Sequence, residues 1–337
     1  MLSRLLMAVA IVVAAVPVLA AERRGSVAFH YGGALTGKQL EFFGRFDVLV
    51  THDPLPREQV TQLRAGGTRL ALYEWSVAFY RSLVRRGSWQ ERLLRGKRKA
   101  LLNRRPLRGH AGGEDADAFY YDPANAGQNG ERVRAIAKRL RAIGYDGVFL
   151  DTTTFESVHP EALDEFRRRY PELPYDAAFA RFLASLRREL ALIVTNQGYR
   201  EAEHYLPYAD YDVTESLLTR PWHDPSNRWN SVDFLMPELI LKPASRYPHV
   251  RFVHLNYIEE RDPQRIERIL ATARLFGHDA FVAMPDVART AFSDLYFLDL
   301  GAPTGEIRRE GLTAMRTFEH GEIVVAPERA KITRALP

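Results

Sequence analysis

Eight short apolar runs follow one another along this chain, at residues 27–30, 48–51, 70–73, 148–150, 192–195, 211–214, 252–256 and 281–284. Most are continuous rather than alternating, as expected of parallel strands covered on both faces. Helical patterns fill the gaps. Residues 57–65 follow the second run behind Pro54 and Pro56, and residues 179–190 precede the fifth. Residues 131–143 place Val133, Ile136, Ala137 and Leu140 at helical spacing and stop at Gly144. Residues 263–276 open with Asp262 as N-cap and Pro263 in the first turn, and close at Gly277. Strand and helix alternating eight times predict an α/β fold, a (β/α)8 TIM barrel, over residues 26–318. The alternative is a doubly wound open sheet. It would carry a Gly-rich phosphate loop after the first strand, and His30-Tyr31-Gly32-Gly33 is a weak match to one.

Two regions exceed a minimal barrel. Residues 77–128 form a long insertion after the third strand, of the kind that builds lids and subsite walls. Its centre is basic: Arg81, Arg85, Arg86, Arg92, Arg95, Lys97, Arg98, Lys99, Arg104, Arg105 and Arg108 stand against Glu91 alone. Such a run binds polyanions or is a solvated surface, and charge alone does not choose. Nothing else suggests nucleic acid as a partner. Residues 319–337 read as a short C-terminal β extension, with Gly321 and Pro327 bracketing a strand.

The first residues are expected to leave the protein. Arg4 precedes an apolar run from Leu5 to Ala20, and Val18-Leu19-Ala20 fits a small-residue cleavage site. Residues 1–20 are therefore expected to be a signal peptide, and the mature protein periplasmic or secreted. An export route makes the absence of cysteine informative. Disulfides would be permitted there, so an ordinary core must carry the stability. Cysteine metal sites and lipid-modified cysteine are also excluded.

In a parallel barrel the C-terminal strand ends share one mouth. Those ends carry His30 and Tyr31, His52 and Asp53, Tyr73, Glu74 and Trp75, Asp151, Asn196, Glu215, Asn256 and Tyr257, and Asp286. Carboxylates and amides bond to sugar hydroxyls, and aromatic faces stack on the apolar side of a pyranose. Each residue also has a plainer role. Tyr31, Tyr73 and Tyr257 suit a core, Asn196 suits a turn cap, and Asp53 before Pro54 suits a helix start. Asp151 and Glu215 stand out, because a charge at the end of a buried strand needs a reason. Two carboxylates at one mouth are the working parts of glycoside hydrolysis. Asp151, short and emerging directly from an apolar strand, is expected to be the nucleophile. Glu215, with its longer reach, is expected to be the general acid/base. Tyr31, Asp53, Tyr73, Glu74, Asn196, Tyr257 and Asp286 are expected to bind substrate. Asp146, at the opposite pole, is expected to be structural.

The stretches Asp146-Gly147-Val148-Phe149-Leu150-Asp151, Val194-Thr195-Asn196-Gln197-Gly198 and Val213-Thr214-Glu215-Ser216 resemble the signature strands of the endo-α-1,4-polygalactosaminidase family, glycoside hydrolase family 114. The resemblance implies a barrel whose fourth strand ends in a catalytic Asp and whose sixth ends in a catalytic Glu. These positions fall on Asp151 and Glu215. It further implies a galactosamine-containing exopolysaccharide as substrate. The first strand departs from the family, which often begins with a Trp-rich strand where this chain has His30-Tyr31-Gly32-Gly33. The basic insertion is also not a family feature.

The expectation is an exported glycoside hydrolase, cleaving a polysaccharide with two carboxylates by retention and needing no cofactor. The rival from another class is a carbohydrate-binding pseudoenzyme or matrix protein on the same barrel. It would keep the aromatics without needing both acids. A metal-dependent polysaccharide deacetylase would need clustered ligands. His30, His52, His159 and His204 lack that spacing. Oligomeric state is not legible.

Overall fold

The computed structural model describes residues 24–96, 100–107, 117–151, 153–216, 218–219, 238–284, 286, 289–327 and 329–334. The expected leader at 1–20 lies outside them, as do Lys97, Arg98, Lys99 and Arg108 of the basic run. In chain order the principal elements begin with β1 (Gly25–His30), α1 (Gly37–Phe43), β2 (Phe46–Thr51), α2 (Arg57–Ala65) and β3 (Arg69–Trp75). The insertion contributes β4 (Ala78–Tyr80), α3 (Trp89–Gly96) and β5 (Ala118–Tyr120). Next come α4 (Ala126–Ile143), β6 (Gly147–Asp151), α5 (Pro160–Arg169), α6 (Tyr175–Glu189), β7 (Leu192–Asn196), α7 (Ala202–Tyr205) and β8 (Tyr211–Glu215). The chain continues through α8 (Glu238–Arg246), β9 (Arg251–Tyr257), α9 (Pro263–Leu275) and β10 (Asp279–Ala283). It ends in β11 (Arg308–Glu310), β12 (Thr313–Phe318), β13 (Gly321–Ala326) and β14 (Arg329–Arg334).

Strands β1, β2, β3, β6, β7, β8, β9 and β10 form one parallel sheet in that order, and β10 returns beside β1. This is a nearly closed (β/α)8 barrel. Each of its strands coincides with one of the eight apolar runs. Their middles are wholly buried, as at Val48, Leu70, Val148, Ile193 and Val213. Phe29 of β1 meets Phe149 of β6 edge to face at 5.4 Å. Those strands are not neighbours in the sheet, so the contact crosses the barrel interior and fills it. Gly147 has a specific steric reason. A Cβ there would lie 1.8 Å from the Leu192 carbonyl oxygen, so only glycine lets β6 pair with β7 at this point.

The helices differ from the sequence pattern in detail. α4 starts at Ala126, earlier than the apolar spacing indicated, because the Asn125 side chain accepts from the Gln128 N–H and caps it. α5 was not expected. Its few buried residues include Ala162 and Phe166, too sparse a stripe to stand out.

Within the insertion, β4 and β5 pair antiparallel and enclose a small core of Phe79, Leu93, Leu101, Phe119 and Tyr121. Arg132 of α4 ties the root of this unit to the barrel. Its buried guanidinium donates to the carbonyls of Ser76 and Trp75, both at 2.7 Å, and packs over Tyr121. Arg85, from the basic run, lies 3.6 Å from Asp53, just beyond β2.

The C-terminal extension is a four-stranded antiparallel sheet of β11 to β14. It begins at Arg308, so the boundary expected at 319 falls inside it. The first two strands carry no apolar signature, because Arg308, Arg309 and Glu310 are all exposed and β12 buries only Ala314. Strands β13 and β14 pack against α9 through Ile323, Val325 and Ile332. No helix among the described residues is long and apolar enough to cross a membrane.

Candidate functional site

The parallel ladder brings three polar strand ends together. Leu150 of β6 pairs with Thr195 of β7, so Asp151 and Asn196 emerge side by side. Asn196 pairs with Val213 of β8, two residues short of Glu215. Strands in a barrel are staggered and tilted, so the next inward position on β8 stands beside Asn196 in the mouth. The Asn196 side-chain nitrogen donates to Asp151 Oδ1 at 2.7 Å and to Glu215 Oε2 at 3.1 Å. Laid end to end, these two bonds fall short of about 6.5 Å, the lower limit of carboxyl separation in inverting glycosidases.

Phenols complete the cradle. Tyr73 donates to Asp151 Oδ2 at 2.5 Å, and Tyr257 donates to Glu215 Oε1 at 2.6 Å. The single hydroxyl proton of Tyr257 is thereby committed. In the 2.6 Å contact between Tyr31 and Tyr257, Tyr31 is therefore the donor. Burial is the main reason all three phenols titrate above their ordinary range, and the neighbouring carboxylates add to it at each. They remain donors throughout the neutral range.

The wall beside Asp151 is aromatic. The His52 ring lies 4.1 Å from that of Tyr73, and Trp75 meets Tyr73 edge-on at 5.3 Å. Burial lowers the His52 pKa, against the opposing pull of Asp53 and Asp151. Tyr80 of the insertion in turn packs edge-on to Trp75 at 4.9 Å.

Six expected site residues thus lie in one network: Tyr31, Tyr73, Asp151, Asn196, Glu215 and Tyr257. Three others are placed apart. Glu74 faces the helix layer, where it is buried and accepts from Arg139 of α4 at 2.9 Å. Side chains alternate along a strand, so Tyr73 pointing inward turns Glu74 outward. Asp53 is exposed beside Arg85, and the cap of α2 is Pro56, so it neither caps that helix nor joins the network. Asp286 is exposed, beyond the end of β10. The ring of acids expected around the mouth is therefore reduced to the Asp151–Glu215 pair at its centre. Asp146 sits at the opposite pole as expected, accepting from the Leu70 N–H and Arg64.

Two residues not singled out from the sequence support the network from behind. Thr153 donates its hydroxyl to the Asn196 carbonyl. Asp212, fully buried on β8, accepts from Thr195, Gly198 and Tyr199 around the Asn196 turn. An acid between the apolar Tyr211 and Val213 at the start of a strand was the available signal for Asp212. Burial pushes its carboxyl up to about 7, against these three bonds. Among the described residues, no group of three or more His, Asp or Glu is arranged to hold a metal ion.

No protein-family model matches the chain, and no curated protein matches its sequence. Solved structures do match. The glycoside hydrolase domain of PelA from Pseudomonas aeruginosa aligns with a TM-score of 0.56 at 23% identity, covering 78% of this chain and 96% of that one. An α-galactosidase from Thermus thermophilus aligns at 0.51 and 16% identity, covering 92% and 66%. The α-N-acetylgalactosaminidase NagBb from Bifidobacterium bifidum aligns at 0.51 and 12% identity, covering 93% and 58%. At these identities the likeness is one of fold, and it agrees with the (β/α)8 barrel.

Proposed function

We propose that this chain is a glycoside hydrolase that cleaves a polysaccharide with retention, using Asp151 as nucleophile and Glu215 as general acid/base. One observation carries the reading: a single Asn196 amide bridges the two carboxylates. That spacing suits the separation of about 5–5.5 Å at which one carboxylate reaches the anomeric carbon while the other reaches the departing oxygen.

In the first step an Asp151 oxygen bonds to the anomeric carbon. The bond to the leaving oxygen breaks, and Glu215 supplies its proton. In the second, Glu215 takes a proton from water, the water oxygen bonds to the same carbon, and Asp151 departs as carboxylate. Tyr73 and Asn196 donate to Asp151 and stabilise the charge that returns to it. Of the two Glu215 oxygens, Oε2 has the longer bond, to Asn196 at 3.1 Å, and is the one assigned to carry the proton.

The substrate we propose is a galactosamine-containing exopolysaccharide, in line with the motifs around Asp151, Asn196 and Glu215. The aromatic wall of Tyr73, Trp75 and Tyr80 supports a sugar-stacking role. The proposed location is outside the cytoplasm, after removal of residues 1–20. The test is hydrolysis of galactosaminan, galactan and chitosan-type polymers by wild type, Asp151→Asn and Glu215→Gln. Release of reducing ends by wild type alone supports the reading. Binding without release would make the protein a carbohydrate-binding module.

A further inference from the structure

We propose that Asp212 is a positioning residue, a clasp that holds the Asn196 turn in the shape needed to bridge Asp151 and Glu215. The inference rests on the reading of Asn196 as that bridge. Asp212 lies an odd number of residues before Glu215, so its side chain leaves the opposite face of β8. It is fully buried there. Its Oδ1 accepts from the Thr195 hydroxyl and the Gly198 N–H, both at 2.7 Å, and its Oδ2 accepts from the Tyr199 N–H at 2.9 Å. These donors come from both sides of Asn196-Gln197.

The turn between them is not one the chain adopts freely. Gln197 has φ 61°, the left-handed region that non-glycine residues avoid. Such a conformation persists where its surroundings over-determine it. Here the Gln197 N–H donates to the Val213 carbonyl at 2.7 Å, and Asp212 fixes the residues on either flank. Gly198 has no room for a side chain, since a Cβ would lie 2.8 Å from Thr195 Oγ1 and 2.9 Å from Asp212 Oδ1. The clasp therefore needs an acceptor at 212, a hydroxyl at 195 and no side chain at 198. Without it, Gln197 is free to relax to negative φ, and Asn196 turns with it.

Asp212→Asn tests this with almost no change in volume. An amide keeps one acceptor for Thr195 and Gly198 but presents an N–H to the Tyr199 N–H. The expected result is a fall in kcat of about ten- to a hundredfold with KM nearly unchanged, the scale of a misplaced group at a reacting centre. The variant should lose little further activity when combined with Asn196→Ala, because both changes remove the same bridge. A crystal structure of Asp212→Asn should show Asn196 withdrawn from Asp151 or Glu215. Independent, additive losses in the double variant, or an unmoved Asn196, would overturn the proposal. If Asp212→Asn does not fold, Thr195→Val removes one bond of the clasp and is read the same way. If wild type cleaves no glycan, the proposed function fails, while the position of Asn196 in the variant structure still decides the clasp.

Discussion

Asp151 and Glu215 share one donor: the Asn196 amide nitrogen lies 2.7 Å from an oxygen of the first and 3.1 Å from an oxygen of the second. A neutral amide with two hydrogens suits this position, because it joins two acceptors without adding charge. Asn196→Ala removes both bonds. Hydrogen bonds to charged groups contribute about 1.5–3 kcal/mol each, so kcat/KM is expected to fall by at least about tenfold. Asn196→Asp puts a third carboxylate between the two and is expected to be worse than alanine. Steady-state kinetics on the two variants, with circular dichroism to establish folding, check the order.

The tyrosine chain predicts a graded response. Tyr257 donates directly to Glu215, and Tyr31 acts on Glu215 only through Tyr257. Tyr257→Phe should therefore lower kcat more than Tyr31→Phe. Once Tyr257 is phenylalanine, the Tyr31→Phe change should add little. Kinetics of the two single variants and the double variant measure this, and equal, additive losses would contradict it.

A buried histidine pair makes part of the stability acid-sensitive. His254 Nε2 and His278 Nδ1 lie 2.9 Å apart, away from the site network. Burial lowers both, His278 from 6.5 to about 4. The unfolded chain thus binds protons that the folded chain refuses. The pair's contribution is present above about 6.5 and is lost as pH falls from there toward about 4. Thermal melts at pH 7 and pH 5 should show wild type losing more stability over that interval than His278→Gln. Equal losses would mean that the pair does not titrate on unfolding.

Arg132 is the test of the insertion's anchor. Its guanidinium satisfies two carbonyls at the end of β3 and lies between Tyr121 and Phe182. Arg132→Ala removes both of those hydrogen bonds and opens a cavity, so a loss of roughly 2–5 kcal/mol is expected. Arg132→Lys keeps a cation without the planar fork and should fall between. Urea unfolding of both variants gives the order.

The barrel was legible because most strands are continuous apolar runs between turn residues, and the site's centre because two of the eight strands end on the carboxylates Asp151 and Glu215. Register and facing are less legible in a run of residues than its apolar character. Tyr73 and Glu74 were both assigned to the mouth, although adjacent residues on a strand must diverge. The same alternation would have separated Asp212 from Glu215 and marked it as a buried acid in need of partners. Asp53 found Arg85 because the insertion folds back toward β2, a long-range contact that no local pattern encodes. Strands β11 and β12 were missed because they bury almost nothing.

The stereochemistry of the released sugar tests the central claim most directly. The Asp151–Glu215 spacing predicts a covalent glycosyl-enzyme on Asp151, attacked by water from the side the leaving group vacated. Proton NMR of the first-formed reducing ends should show the anomeric configuration of the bond that was cut, ahead of mutarotation. The opposite anomer appearing first would contradict the account. It would mean that water, and not Asp151, attacks the anomeric carbon.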